Sequence, residues 1–197
     1  MSVKSEIDFI CPKCGHVSKA SVYSRIDVVA EPELKALVKD GSLFVHECPE
    51  CSFKKLVAAP LLYLDHDAKL LICLSEQFIK ADSLPEGYTA RQVGDVGSLI
   101  EKVKIFDDGL DDVAMEMCKY VTSREMELEA DFKYLGCGGR DNEITLTYPK
   151  DGQMQMVELG FNVYQDCLAI VNRNNVFKEK SAGLARVDAD LISKIIR

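Results

Sequence analysis

The sequence predicts an α+β fold, and three patterns predict it. Two Cys-Pro-x-Cys stretches, "CPKC" at 11–14 and "CPEC" at 48–51, each lie beside short runs with strand character. Val96, Leu99, Ile100 and Val103 then recur at i, i+3, i+4 and i+7, the spacing of one helix face. Beyond them Met126, Leu128, Ala130, Phe132 and Tyr134 alternate with Glu127, Glu129, Asp131 and Lys133, the period of a half-buried strand.

Taken in order, "VSKASVYSRIDV" after the first cysteine pair reads as a strand, with Val17, Val22 and Tyr23 pointing inward. Pro32 to Lys39 makes a short helix: acidic residues open it, Lys39 sits near its end and Gly41 stops it. "SLFVHE" leads as a strand into the second pair, and "FKKLVAAPLLYLD" leads out as another. The turn Asp65-His66-Asp67 then folds "AKLLICLSE" back as a hairpin. "SLPEGYTARQVGD" reads as a loop, with Pro85, Gly87 and Gly94 as breakers. The helix that follows pauses at "FDDGLDD" and resumes through Val113, Met117, Tyr120 and Val121, giving two helices about a Gly109 turn.

The alternating segment from Met126 opens an antiparallel meander with "NEITLTY" and "QMQMVEL", joined by turns at Gly139-Arg140-Asp141 and Lys150-Asp151-Gly152. Asn162 is the expected cap of a helix running to about Arg173, and Asp188 or Asp190 that of a last helix in "DADLISKII". The predicted division is a first domain over 1–125 and an α+β region over 126–197. The first domain is expected to hold an antiparallel sheet with one inserted helix, followed by the helix pair.

The chain has 197 residues, enough for a sizeable core, and its 47% hydrophobic and 28% charged content is that of a globular protein. Its apolar runs are too short to span a bilayer, and "MSVKSEIDFI" has no apolar stretch of signal-peptide type. A cytoplasmic location with reduced thiols is therefore expected, and paired cysteines there suggest metal before disulfide. The net charge is −8, and because residues 1–60 are balanced, the excess lies in residues 61–197. Duplex binders usually show a basic face, so this balance disfavours broad nucleic-acid binding and leaves only a local contact open.

Cys11, Cys14, Cys48 and Cys51 supply four thiols from two tight turns. Zn²⁺ takes four ligands in a tetrahedron and binds thiolates readily, and a Cys-x-x-Cys turn presents two sulfurs on one side of a knuckle. Pro12 and Pro49 pre-set φ after each leading cysteine, and Gly15 supplies the left-handed residue that closes the first knuckle. Ser52 takes that place in the second, at a modest conformational cost. A redox motif would use one such pair at a helix start, whereas here there are two, each followed by strand-like sequence. The expectation is one structural Zn²⁺ per chain, with a rubredoxin-type iron as the alternative that the same ligands permit. Four protein ligands leave no position for a catalytic water. His16 and His46 flank the pairs and are read as surface or supporting residues.

These stretches, with the helix "EPELKALVKDGSLF" between the pairs and with "PLLYLDHDAKLLICL" and "LIEKVKIFDDGLDD" after them, resemble the CpXC domain family over roughly residues 5–125. These are prokaryotic proteins with two Cys-Pro-x-Cys motifs. The resemblance implies metal binding by the same four cysteines, and it brings no biochemical activity with it.

Elsewhere, Asp107, Asp108, Asp111 and Asp112 lack the regular ligand spacing of a calcium loop and are read as helix-terminal acids. "GCGGRDN" lacks the Lys-Ser/Thr of a phosphate loop and reads as a hairpin turn. Cys73, Cys118, Cys137 and Cys167 share no motif and are expected as packed thiols. No catalytic constellation emerges, so the expected function is a zinc-stabilised, non-enzymatic module that docks another protein. The alternative is a zinc-ribbon contact to nucleic acid through Lys13, His16, Lys19, Arg25, Lys54 and Lys55.

Overall fold

Alternating apolar and polar residues draw the first ten positions into a strand, β1 (Val3–Ile10), which the sequence reading does not assign. The structure, a computed structural model, describes every residue except Lys80, Asp82, Arg140, Asp141 and Arg197. The chain divides into two compact units, Met1–Ile100 and Glu101–Arg197; the sequence reading places the boundary at 125/126.

In the first unit β1 pairs antiparallel with β2 (Val17–Asp27), with Ile7 opposite Ala20 and Phe9 opposite Ser18. Ala20, Val22 and Ile26 are buried, whereas Val17, expected inside, is 58% exposed at the mouth of the first knuckle. Helix α1 (Glu33–Lys39) follows Pro32, carries Glu33 in its first turn and Lys39 in its last, and buries Leu34 and Val38. Gly41, at φ 79°, ends it, and a single 3-10 turn over Ser42–Phe44 leads into β3 (Val45–Glu47). β3 pairs antiparallel with β4 (Lys54–Leu56), forming a ribbon that carries the second knuckle at its end. The expected strand from Phe53 to Asp65 is therefore two, because the chain leaves the ribbon after β4 and starts β5 (Leu61–Asp65) anew.

β5 and β6 (Leu70–Leu74) form the expected hairpin, and Asp65 Oδ1 accepts from Ala68 N in its turn. The supposed loop after residue 83 contains a further strand, β7 (Thr89–Val93), in which Arg91 and Gln92 are buried. The Gln92 side chain donates to the carbonyls of Ser75 and Gln77 and accepts from Ile79 N, so its polarity is satisfied internally.

Strand order within this unit is β1-β2-β5-β6-β7. The α+β class holds, but the sheet is mixed rather than antiparallel: β2 pairs parallel with β5, and β6 parallel with β7. Parallel neighbours need long crossovers, and here α1 with the β3–β4 ribbon forms one and residues 75–88 the other.

Helix α2 (Val96–Asp107) spans the division between the units. After the Gly109 turn, at φ 71°, α3 (Asp112–Glu125) begins with Asp111 capping Ala114 N. The strand expected from Met126 starts later, as β8 (Lys133–Gly138). Met126 instead caps α3 and Glu127 turns left-handed at φ 50°, so helix termination overrides the alternating pattern. β9 (Glu143–Lys150) and β10 (Gln153–Leu159) complete the antiparallel meander, with β9 central. Asp151 and Gly152, both with positive φ, make the second turn; of the first, Arg140 and Asp141 lie outside the described residues.

Helix α4 (Phe161–Arg173) starts from Gly160 rather than from Asn162, which lies within its first turn. Three further elements close the chain: α5 (Asn175–Lys180), β11 (Leu184–Ala185) and α6 (Ala189–Ile196). Asp188 Oδ1 accepts from Leu191 N at the start of α6. The core of the second unit gathers Met115, Cys118, Ile144, Leu146, Phe177 and Ile192.

Beside it runs a buried charge network that the sequence reading misses. Lys102 Nζ lies 3.0 Å from Asp112 and 3.2 Å from Glu116. Lys119 Nζ lies 2.9 Å from Glu101 and 2.7 Å from Glu116. Tyr134 N donates to Glu101 as well. Burial alone would lower both lysines, but the surrounding carboxylates outweigh it and hold both pKa values above the ordinary range.

Candidate metal centre

Each knuckle is built by the same pair of backbone hydrogen bonds. Cys11 N donates to His16 O and Gly15 N to Cys11 O; in the second, Cys48 N donates to Phe53 O and Ser52 N to Cys48 O. The turns require a left-handed residue at their fifth position, and Gly15 (φ 74°) and Ser52 (φ 54°) provide it. One knuckle joins β1 to β2 and the other joins β3 to β4, so two rigid hairpins present the four thiols to one another.

All four Sγ atoms lie within 4.8 Å of one another. Across the knuckles, Cys11 Sγ is 3.6 Å from Cys51 Sγ and Cys14 Sγ is 3.7 Å from Cys48 Sγ. A tetrahedron with metal–sulfur bonds of about 2.3 Å has edges of about 3.8 Å, so the donor set fits a thiolate-bound metal ion. The spacing is also far longer than a disulfide bond of about 2.05 Å, and all four cysteines are free thiols. Cys11 and Cys48 are buried, Cys51 is half-buried and Cys14 faces outward. Phe9 and Ala20, with Phe53 and Val57, form the small apolar cluster against which the sulfurs rest.

The electrostatics divide each knuckle into unequal halves. Desolvation pushes the Cys11 thiol up, but N–H groups of Cys14 and Lys13 donate to its sulfur and bring it down to about 7. Cys48 is likewise pushed up by desolvation and lowered on balance by the N–H groups of Cys51 and Glu50. Cys14 receives one such donor, from His16; desolvation and the three neighbouring thiols override it and push Cys14 up to about 12. Cys51 is also raised, its single donor from Phe53 being outweighed by burial and by Cys11 and Cys48. The leading cysteine of each pair is thus the readier thiolate, and the donors that favour it would support a bound metal's ligands in the same way.

His46 stands beside this centre rather than in it. Its Nε2 is 2.9 Å from Ser18 Oγ and its ring meets Phe9 edge-on at 4.7 Å, tying the β3–β4 ribbon to the β1–β2 hairpin. His16 is exposed and contributes only backbone groups.

Of the six residues considered for a nucleic-acid contact, three take part in ion pairs. Lys19 pairs with Asp8 at 2.6 Å, Lys54 with Glu47 at 3.3 Å and Arg25 with Asp27 at 3.6 Å. Lys13 and Lys55 are exposed.

The acids of "FDDGLDD" are dispersed among separate tasks. Asp108 accepts from Tyr134 OH, Asp111 caps α3 and Asp112 joins the buried network. Cys118 and Cys167 are buried in the second core, while Cys73 and Cys137 are half-buried and apart from the four-thiol group. Among the described residues no helix is long and apolar enough to cross a membrane.

No curated protein and no solved structure matches the chain. A family model does: that of the CpXC protein family matches residues 9–119, from the strand before the first knuckle well into α3. The matched stretch contains both knuckles and the whole crossover between them, and it covers more than half of the sequence. The chain belongs to the CpXC protein family.

Proposed function

We propose that the protein is a zinc-binding, non-enzymatic module whose single four-cysteine site is structural and whose task is to engage another protein. The observation that carries the metal reading is the cross-knuckle Sγ spacing of 3.6 and 3.7 Å, near the edge of a tetrahedral thiolate site. Zinc is favoured over iron because Zn²⁺ has no geometric preference of its own and settles readily into a closed tetrahedron of thiolates. With all four positions held by protein, no water is activated, and the role left to the metal is to fasten two hairpins. The net charge of −8 and the ion-paired state of Lys19, Arg25 and Lys54 favour a protein partner over nucleic acid.

Metal analysis of protein prepared without chelator under reducing conditions is expected to give about one zinc per chain. Substoichiometric metal, or a disulfide within either pair, would overturn the assignment. Cys48→Ser is expected to lower the melting temperature and open residues 1–100 to protease, because metal binding is coupled to folding. A variant that melts like the parent would remove the structural role. For the partner, a nuclease-treated pull-down is expected to retain a protein, and random duplex DNA to bind weakly at physiological salt. Tight duplex binding that falls steeply with salt would instead favour the nucleic-acid reading.

A further inference from the structure

Strand β1 lies at the end of the strand order, so one of its edges pairs with β2 and the other faces outward. The free edge begins at Val3, because Ser2 N is already used in donating to Glu31. Its side chains divide by face. Val3 (51% exposed) and Ile7 (38% exposed) share a face with the buried Phe9, while Lys4, Glu6 and Asp8 stand exposed on the other. A long, partly apolar edge of this kind is a template for another strand unless something blocks it.

We infer that β1 pairs antiparallel with β1 of a second copy of this chain, about a two-fold axis through Ser5. A two-fold normal to the sheet keeps the same face upward in both copies, so residues directly opposite must have the same parity and the axis must pass through a residue. That leaves few registers to compare. An axis at Lys4, Glu6 or Asp8 sets a like-charged pair on itself. An axis at Ile7 sets Glu6 against Asp8. The axis at Ser5 alone sets Lys4 opposite the partner copy's Glu6 twice over.

The same register places Val3 opposite the other copy's Ile7, also twice. It therefore covers Val3 and Ile7, two of the three exposed apolar side chains of β1, while pairing the charges on the opposite face; Ile10, 68% exposed, lies beyond the paired stretch. Lys4 Nζ lies 5.9 Å from the centre of the Tyr23 ring, and Asp8 is already held by Lys19. Neither contact conflicts with the pairing. A two-strand seam buries less than a standard interface, so the dimer is weak, forming in the micromolar range rather than persisting on dilution.

The test is sedimentation of the full, metal-replete chain over roughly micromolar to millimolar concentration, with charge variants compared under the same conditions. The parent is expected to pass reversibly from monomer to dimer. Glu6→Lys and Lys4→Glu, each placing like charges opposite one another, should weaken association at least tenfold. Lys4→Glu/Glu6→Lys should restore it, because the exchanged pair is complementary again. Thermal melts check that each variant is folded; Glu6→Gln and Lys4→Gln, expected to weaken association several-fold, replace any charge variant that is not. A monomer at every concentration would overturn the proposal, with the charges then serving to protect the edge. A dimer insensitive to all of these changes would overturn it too, by placing the contact elsewhere.

Discussion

Ser52 occupies the position that Gly15 fills in the other knuckle, and it does so at φ 54°, where a side chain is disfavoured. Its cost is carried by the native state. Ser52→Gly is therefore expected to stabilise the protein by about 1 kcal/mol, read as a shift in urea midpoint at constant slope. The buried network offers the opposite experiment. Lys102→Met would remove the ammonium that Asp112 shares with Glu116, leaving Lys119 alone to face Glu116, at a cost of roughly 3–5 kcal/mol. Glu116→Gln should cost less, about 1 kcal/mol, since Asp112 still faces Lys102 and Glu101 still faces Lys119. Equal losses in the two variants would show that packing rather than charge sets the stability there.

The lysines also fix a pH window. Both have folded values above the ordinary one, so their stabilising effect is complete below about pH 10.4 and is lost as pH rises through the folded values. Thermal melts taken up to strongly alkaline pH should show this loss in the parent and a flatter profile in Lys102→Met.

Among elements, those with strong local codes were legible and those decided by tertiary partners were not. The four-thiol group, α1, the α2–α3 pair, the β5–β6 hairpin and the last two strands of the meander follow from spacing, caps and turn residues. β1 carried its own signal, the alternation of Val3, Ser5, Ile7 and Phe9 with charged residues, but the short polar start masked it. β7 could not be read locally, because Arg91 and Gln92 look like loop residues until their buried partners are known. Residues 126–132 show the reverse failure: their alternation is strand-like, yet the end of α3 claims the chain first. The parallel pairings were hidden as well, since strand direction depends on crossovers rather than on composition. Gln92 gives the element-scale test. Gln92→Leu leaves the carbonyls of Ser75 and Gln77 and the amide of Ile79 without their side-chain partner, a loss of roughly 1–3 kcal/mol. Hydrogen exchange should accelerate at residues 75–79 before it changes in β5 or β6. Unchanged exchange there would mean that the segment is held by something other than this amide.

For the molecule as a whole, the order of events in folding depends on where the knuckles fall along the chain. β2, α1 and β3 all lie between Cys14 and Cys48, so a metal ion that joins the knuckles closes a loop around them. β5 lies just outside that loop and pairs parallel with β2. A parallel pair must bring together strands distant in sequence, and the entropy of closing that span opposes its formation. Through the metal, the path from β2 to β5 is shorter than the path along the chain. By the chain-entropy estimate used for covalent cross-links, a clasp on a loop of this size removes about 4 kcal/mol of unfolded-state freedom. Zinc added before dilution from denaturant should therefore speed refolding of residues 1–100, while zinc added afterwards should stabilise the product without changing the early rate. The ion would then act first as a shortcut for the chain, and only later as a fastener of the finished sheet.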